Sequence, residues 1–437
     1  MGFLQRIFGV FQKEASLPSP VLEQAPPLAA VLETPPRSVA LSWKEMLDGS
    51  ERIAGYYLRP VALGGEETVA GSVLLDALSK ENVGRLSARC KVLIPLTPEQ
   101  WRAADFRSFI SGNTFFLLAE ASGSAEFNAA AGLEFAAEIC AAGGQLAINQ
   151  TFHSRLAEPR TFSGLIFLDI AGAQLSSFEL LIRNIRQASP QAMLAVDGVG
   201  TWSESRFLQS LGVALCAGPF TTTPDETEQT GQISESRLVV VEMLNLLRRD
   251  APNHEIAAVA KRDPGVVLKL IAMANSPMSG LSRQVATLDD VILVLGRDVV
   301  YRWLALAMFR LDQQSRRDET LMVLALSRAS FLESLAPRSD PQMAGELFLV
   351  GLFSLLDSLL RMPVETAISR MNLPKKVVSA LLSRASPYGD YLKLALAIEA
   401  GKLKQGLLLC EHLGLEPAEV WHHYSEAMLW AASDASV

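Results

Sequence analysis

Histidine and cysteine are scarce and scattered. The five histidines, His153, His254, His412, His422 and His423, show no metal-ligand spacing. His422 and His423 are adjacent, so on a helix they diverge by about 100° and cannot chelate one ion from one face. The four cysteines, Cys90, Cys140, Cys216 and Cys410, lie far apart with no CxxC pair, which suggests neither a zinc site nor a disulfide framework. Reduced thiols in a cytoplasmic protein are the simplest expectation. No GxSxG elbow and no GxxxxGKS/T loop occurs, so nothing points to an elbow nucleophile or P-loop chemistry. No run of roughly 18 uncharged apolar residues exists, so a membrane span is not expected. The nearest approach, LFLVGLFSLLDSLL at 347–360, is too short and carries Asp357. A basic surplus is also missing: the net charge is -8, which argues against a protein that lives on nucleic-acid phosphates.

What is present is a long, apolar-rich chain. Its 437 residues predict about two or three globular domains, each burying its own core. The first residues place Phe3, Ile7, Val10 and Phe11 near one helical face, so residues 3–13 are a candidate for weak contact with a membrane surface or a partner. They do not read as a secretory signal, because the apolar run is broken and no small-residue cleavage site follows. Gly2 lacks the Ser or Thr at position 6 that myristoylation expects. Residues 15–40 gather Pro18, Pro20, Pro26, Pro27, Pro35 and Pro36, the composition of an extended linker. The segment 1–42 is therefore set apart.

Between 43 and 224 short apolar runs alternate with helical stretches. The strand-like runs include FFLLAE, QLAINQ, GLIFLDI, MLAVDG and GVALCAG; AAGLEFAAEICAAGG and SSFELLIRNIRQA lie between them. That rhythm implies parallel β/α units with helices covering both strand faces. Several runs end on a polar group, Glu120, Asn149, Asp169 and Asp197, which in a β/α barrel would point into the mouth at the C-terminal face. TTTPDETEQTGQ at 221–232 is turn-rich and reads as a boundary. From 234 to 437 the pattern is helical. Asp263 is a good N-cap with Pro264 in the first turn, Thr287 and Asp290 offer capping chemistry, and Gly296 suits a helix end. Further helices are expected at 299–311, 318–336, 342–360, 390–401 and 403–412.

These helical motifs resemble the HDOD domain, a relative of the HD phosphohydrolase fold. The resemblance rests on KRDPGVVLKLIAMANSPMSG, VATLDDVILVLG and FLVGLFSLLDSLL, in that order. Asp263-Pro264, Asn275-Ser276 and Leu295-Gly296 stand at the family's DP, NS and leucine-glycine positions. Pro277 replaces a more usual small residue. Asp263, Asn275 and Ser276 are candidates for a partner surface, with capping and turn formation as the plain alternative. The first half is similar to a degenerate EAL domain, the barrel of cyclic di-GMP phosphodiesterases, through IAGYYLRP, AAGGQLAINQTF, GLIFLDI, LAVDGVGT and LGVALCAGPFTTTP. The fold class implied is α/β plus all-α: an incomplete or modified TIM-like β/α barrel followed by an α-helical HDOD bundle.

The EAL resemblance also says which chemistry is expected to be lost. A two-metal reaction needs several hard oxygen donors to hold the ions that activate water and neutralise phosphate. The matching positions hold Tyr57 for the signature glutamate, Asn149-Gln150 for an Asp-Asp pair, Phe167 for a lysine, Gly200 for a later glutamate, and Ala217 for the glutamine before Gly218. Asp169 and Asp197 remain, and Arg59 offers one cation for an anionic ligand. In the HDOD half Ser354 and Leu355 replace the His-Asp pair of HD hydrolases. These positions are therefore vestigial, and no catalytic, cofactor-binding or metal residues are expected. EAL-HDOD proteins are linked, as a family, to control of motility, pili or surface behaviour through protein contacts. The expected function is a non-catalytic signal-transduction scaffold acting on other signalling proteins. Cyclic di-GMP binding without hydrolysis is the alternative, residual metal-dependent phosphodiesterase activity a weaker one. DNA binding through VLGRDVVYRWLALAMF is disfavoured, because that helix is mostly apolar.

Overall fold

The computed structural model describes residues 39–63, 69–119, 129–170, 175–227, 233–275, 284–310 and 316–434. Residues 3–13, Glu120, Ser276 and Pro277 lie outside this set. The described residues fall into two compact units. One joins 39–233 with 312–435, and the other is built from 234–311. The grouping differs from a division at 224–234, because the helices after 312 pack with the barrel rather than forming a unit of their own.

The first unit is centred on a closed eight-stranded barrel. Its strands are β1 (Val39–Leu47), β2 (Ile53–Ala62), β3 (Lys91–Leu96), β4 (Thr114–Leu118), β5 (Gln145–Asn149), β6 (Leu165–Asp169), β7 (Met193–Asp197) and β8 (Leu215–Cys216). β2 to β8 run parallel, whereas β1 is antiparallel to both β2 and β8. This reversed first strand is the modification of the barrel, and it starts at Val39, before the Trp43 boundary read from the sequence. The helices α1 (Gly71–Lys80), α2 (Val83–Ser87), α3 (Pro98–Ala103), α4 (Ala129–Ala141), α5 (Gln150–His153), α6 (Leu175–Ala188) and α7 (Trp202–Ser210) connect the strands. Thr97 and Thr201 open α3 and α7 with capping boxes, Gln100 and Glu204 reaching back to the cap.

Alternation along each strand fills the lumen. Met46, Leu93, Phe115, Leu117, Ala147, Leu165, Ala195 and Leu215 form the inner cluster, with Tyr57, Phe167 and Met193 packed against it. After β8 the chain turns back against β7 at Gly218, which has φ +147. A Cβ there would stand 2.3 Å from the Val199 carbonyl oxygen, so only glycine fits that crossing. The boundary segment does not leave the barrel at once: Phe220 and Thr221 are buried, and Asp225 pairs with Arg206 of α7.

The second unit holds α8 (Glu235–Arg248), α9 (Asn253–Ala260), α10 (Pro264–Ala274), α11 (Leu288–Leu295) and α12 (Arg297–Arg310). Thr287 Oγ1 accepts the Asp290 N–H at 3.1 Å, and Gly296 ends α11 at φ +83, as the sequence implied. α12 buries Val299, Val300, Trp303, Leu304, Met308 and Phe309, so the stretch weighed as a groove reader is core.

Back in the first unit follow α13 (Arg316–Ser334), α14 (Pro341–Phe353), α15 (Leu356–Leu360), α16 (Val364–Ser369), α17 (Lys375–Ser383), α18 (Tyr388–Glu399), α19 (Leu403–Leu413) and α20 (Pro417–Asp434). α20 and α18 cover β1: Trp43 Nε1 donates to Ser425 Oγ at 3.0 Å. The single helix expected over 342–360 is interrupted at Ser354 and Leu355. Ser354 Oγ donates to the Gly351 carbonyl at 2.6 Å, taking up a backbone acceptor of the last turn. Helices α16, α17 and α20 were not anticipated from sequence. Among the described residues no helix is long and apolar enough to cross a membrane.

Candidate functional site

The barrel mouth is built by the last inward positions of the strands. Strand alternation puts Leu165, Phe167 and Asp169 on one face of β6, and Met193, Ala195 and Asp197 on the matching face of β7. The register sets Asp169 opposite Asp197, and Asn149 opposite Phe167. Beneath the two carboxylates the mouth is closed by aromatic rings: Tyr57 and Phe167 lie 4.8 Å apart between centroids. Burial, with Asp197 and Asp169 adding to it against Arg59, pushes the Tyr57 hydroxyl up to about 12, so it stays protonated at neutral pH. Ala217 is buried in the inner cluster and brings no polar group.

Asp197 is the buried carboxylate of the mouth, and its oxygens are engaged. Lys44 of β1 donates from Nζ to both Oδ1 and Oδ2 at 2.7 Å, and the Gly198 N–H reaches Oδ1 at 2.7 Å. Lys44 comes from the reversed strand, where Met46 and Lys44 share the inward face. The sequence reading did not single it out. A lysine two residues before a lumen-facing Met46 was the available signal, but it required knowing that β1 closes the barrel beside β8. Asn149 is engaged as well: its Oδ1 accepts the Phe152 N–H at 2.8 Å and caps α5. Gln150 begins that helix and is exposed, and Asp169 is also exposed. Of the sequence candidates, Tyr57, Asn149, Phe167, Asp169, Asp197 and Ala217 do share the mouth region.

Arg59 follows Tyr57 on β2, in the part of that strand that pairs with β1 alone. Alternation puts it on the Tyr57 face of that strand. Its guanidinium lies 6.0 Å from the Tyr57 ring and also sits against Gly401, where a Cβ would stand within 2.1 Å of Nη2.

The Ser354 corner, where the HDOD resemblance suggests the position of a His-Asp pair, has a cation too. Arg328 of α13 donates from Nη1 to Ser354 Oγ at 2.6 Å and grips Glu399 through Nε at 2.8 Å and Nη2 at 2.6 Å. Arg328 is 2% exposed. Burial works against its charge, but the Glu399 carboxylate outweighs this and holds the guanidinium above its usual range. Glu45 of β1 shares this neighbourhood. Its crowded surroundings, with Glu399 nearby, push its carboxyl up to about 7 although Arg328 and Lys44 pull the other way. α13 and α14 meet closely here, since a Cβ on Gly351 would lie 2.5 Å from the Ala329 Cα.

The other candidates perform local work. Asp263 Oδ1 accepts the Gly265 and Val266 N–H groups at 2.9 and 3.2 Å, opening α10. Ser236, followed by those backbone donors, keeps its carboxyl below the usual carboxylate range. Asn275 closes the loop after α10: its Nδ2 donates to the Val285 carbonyl at 2.7 Å, and its Oδ1 accepts the Val285 N–H at 2.8 Å. His153 bonds Ser189 at 2.9 Å inside the barrel unit, and all four cysteines are free thiols.

A closed β/α barrel with a reversed first strand, followed by a helical region, defines the class. Residues 236–363 match the HDOD domain. The barrel-then-HDOD order is thus the one the resemblance implied. Among curated proteins, the chain is 28% identical to the uncharacterized protein YuxH of Bacillus subtilis over 43% of this chain and 46% of that one. It is 23% identical to the cyclic di-GMP phosphodiesterase CdgJ of Vibrio cholerae over 61% of this chain and 62% of that one. The matches thus span about half of the first relative and less than two thirds of the second. Among solved structures, the manganese and cyclic di-GMP complex of Klebsiella pneumoniae BlrP1 is similar at 16% identity and a TM-score of 0.33, covering 44% of this chain and 57% of that one.

Proposed function

We propose that this protein is a non-catalytic signalling scaffold, acting within cyclic di-GMP signalling through protein contacts. The observation that carries this reading is the Lys44–Asp197 pair: an ammonium at 2.7 Å from both oxygens of the buried mouth carboxylate. A divalent ion pair requires several free anionic oxygens. Here Asp197 is held by Lys44 and Gly198, Asn149 caps α5, and Tyr57 and Phe167 bring rings instead of ligands. The donor set among the described residues does not fit a metal pair, so no hydrolytic step is derived for it. The relative named as a cyclic di-GMP phosphodiesterase supports the signalling setting.

For the contact surface, Leu268 of α10 and Leu293 of α11 are 67% and 76% exposed on two helices that pack together. Exposed leucines on adjacent helices suit a protein partner. Complementation of a deletion in the native host tests the reading, with surface motility as readout. Asp169→Asn is expected to complement like the wild type, and Leu268→Asp combined with Leu293→Asp to fail while folding normally. Loss of complementation by Asp169→Asn alone would favour an enzyme.

A further inference from the structure

The region between α17, α18 and α19 holds a cavity of about 170 Å³ lined by Arg384, Lys393, Leu396, Ala397, Lys402 and Gln405. Three of its six lining residues are cationic and none is acidic. At about 30 Å³ per water, that volume accommodates on the order of five waters, or one phosphate with a small organic group attached. We propose that this pocket is a binding site for a small phosphate-bearing anion, separate from the barrel mouth.

The argument starts from Arg384. It ends α17 in the left-handed region at φ 55. Its Nη1 is buried and has no hydrogen-bond partner among the described residues. A buried guanidinium nitrogen without an acceptor is costly, and such groups are normally satisfied by protein, water or ligand. Burial, then the like charge of Arg328, lowers the affinity of Arg384 for its proton, although Asp357 and Glu399 pull the other way, so a further anion in direct contact is favoured. The nearby carboxylates are already committed. Asp390 pairs with Lys393 at 2.8 Å and with Ser386, and Glu399 spends both oxygens on Arg328. Asp357 accepts the Ser358 N–H at 2.7 Å. None of the three hydrogen-bonds Arg384.

Lys402 completes the arrangement. It is exposed, makes no ion pair among the described residues, and stands directly before α19. Its backbone is fixed by its N–H bond to the Ala397 carbonyl at 2.8 Å, so the lysine is held at the rim. Gly401 precedes it at φ +66 and gives Arg59 of the barrel room to approach the same loop. A fork from Arg384, the Lys402 ammonium and the Gln405 amide match the oxygens of a phosphate, with Lys393, already paired with Asp390, adding only its charge at the edge. Leu396 and Ala397 offer apolar wall for a short carbon substituent.

Calorimetric titration of the full chain at low ionic strength tests this, with inorganic phosphate and glycerol 3-phosphate as separate probes. Saturable one-to-one binding is expected, weakened at least about tenfold by Lys402→Glu and retained by Lys402→Arg. Lys402 is at the surface, so its variants keep the fold. Tighter binding of glycerol 3-phosphate would assign an organic phosphate, and tighter binding of inorganic phosphate the free ion; either upholds the site. Absence of saturable binding of both probes, or equal binding by Lys402→Glu, would overturn it. The mouth variant Asp169→Asn is expected to bind as the wild type does, which separates this site from the scaffold reading.

Discussion

The barrel mouth and the Ser354 corner reach a similar electrostatic state by different routes. At the mouth, Lys44 sits on Asp197 with 24% and 12% of the two side chains exposed. At the corner, Arg328 is sealed at 2% exposure between Ser354 and Glu399. In each place a fixed side-chain cation stands near positions that the family resemblances assign to metal ligands. The mouth pair comes from strand register, across β1 and β7, and stays near solvent. The corner pair joins three helices, α13, α14 and α18, and belongs to the core. A pair near solvent can be partly re-solvated when it is broken, whereas a pair sealed inside a bundle leaves an uncompensated buried charge when one partner is removed.

The comparison is broken most strongly at the corner. Glu399→Ala leaves Arg328 buried without its anion and is expected to cost about 3–5 kcal/mol in urea unfolding. Arg328→Met with Glu399→Leu should cost less than either single change. Gly351→Ala puts a methyl into the Ala329 backbone and is expected to cost about 1–3 kcal/mol, read as a lower unfolding midpoint.

The pH response sharpens the same contrast. The Glu45 carboxyl is raised from 4.5 to about 7, so the native state holds a proton that the unfolded chain has lost between those values. Its contribution is complete below about 4.5 and fades as pH rises through about 7. Glu45→Gln is therefore expected to flatten the fall in stability across that window, measured as midpoint against pH. Lys44→Ala is a milder change than breaking the corner pair: it leaves the buried Asp197 carboxylate with the Gly198 N–H and is expected to cost about 1–3 kcal/mol, read as the unfolding midpoint.

Much of the architecture was legible in the sequence. Doubly apolar runs ending in Asn149, Asp169 and Asp197 marked β5, β6 and β7, and capping chemistry marked α10 and α11. β1 was hidden, because Val39–Leu47 follows a proline-rich stretch and mixes Ser42, Lys44 and Glu45 into an otherwise apolar run. Its partners are a hairpin strand and the last strand of the barrel, and a closing pair of that kind has no local signature. The Lys44–Asp197 contact, 153 residues apart, was unreadable for the same reason. So was the Arg328 grip on Ser354 and Glu399, since a buried arginine in α13 reads on sequence as a polar helix face.

The most direct test of the account is a cleavage assay of cyclic di-GMP by the purified full chain with manganese or magnesium. The account predicts no linear product above the protein-free blank, for the wild type and for Asp197→Asn alike. Metal-dependent product formed by the wild type and abolished by Asp197→Asn would contradict it.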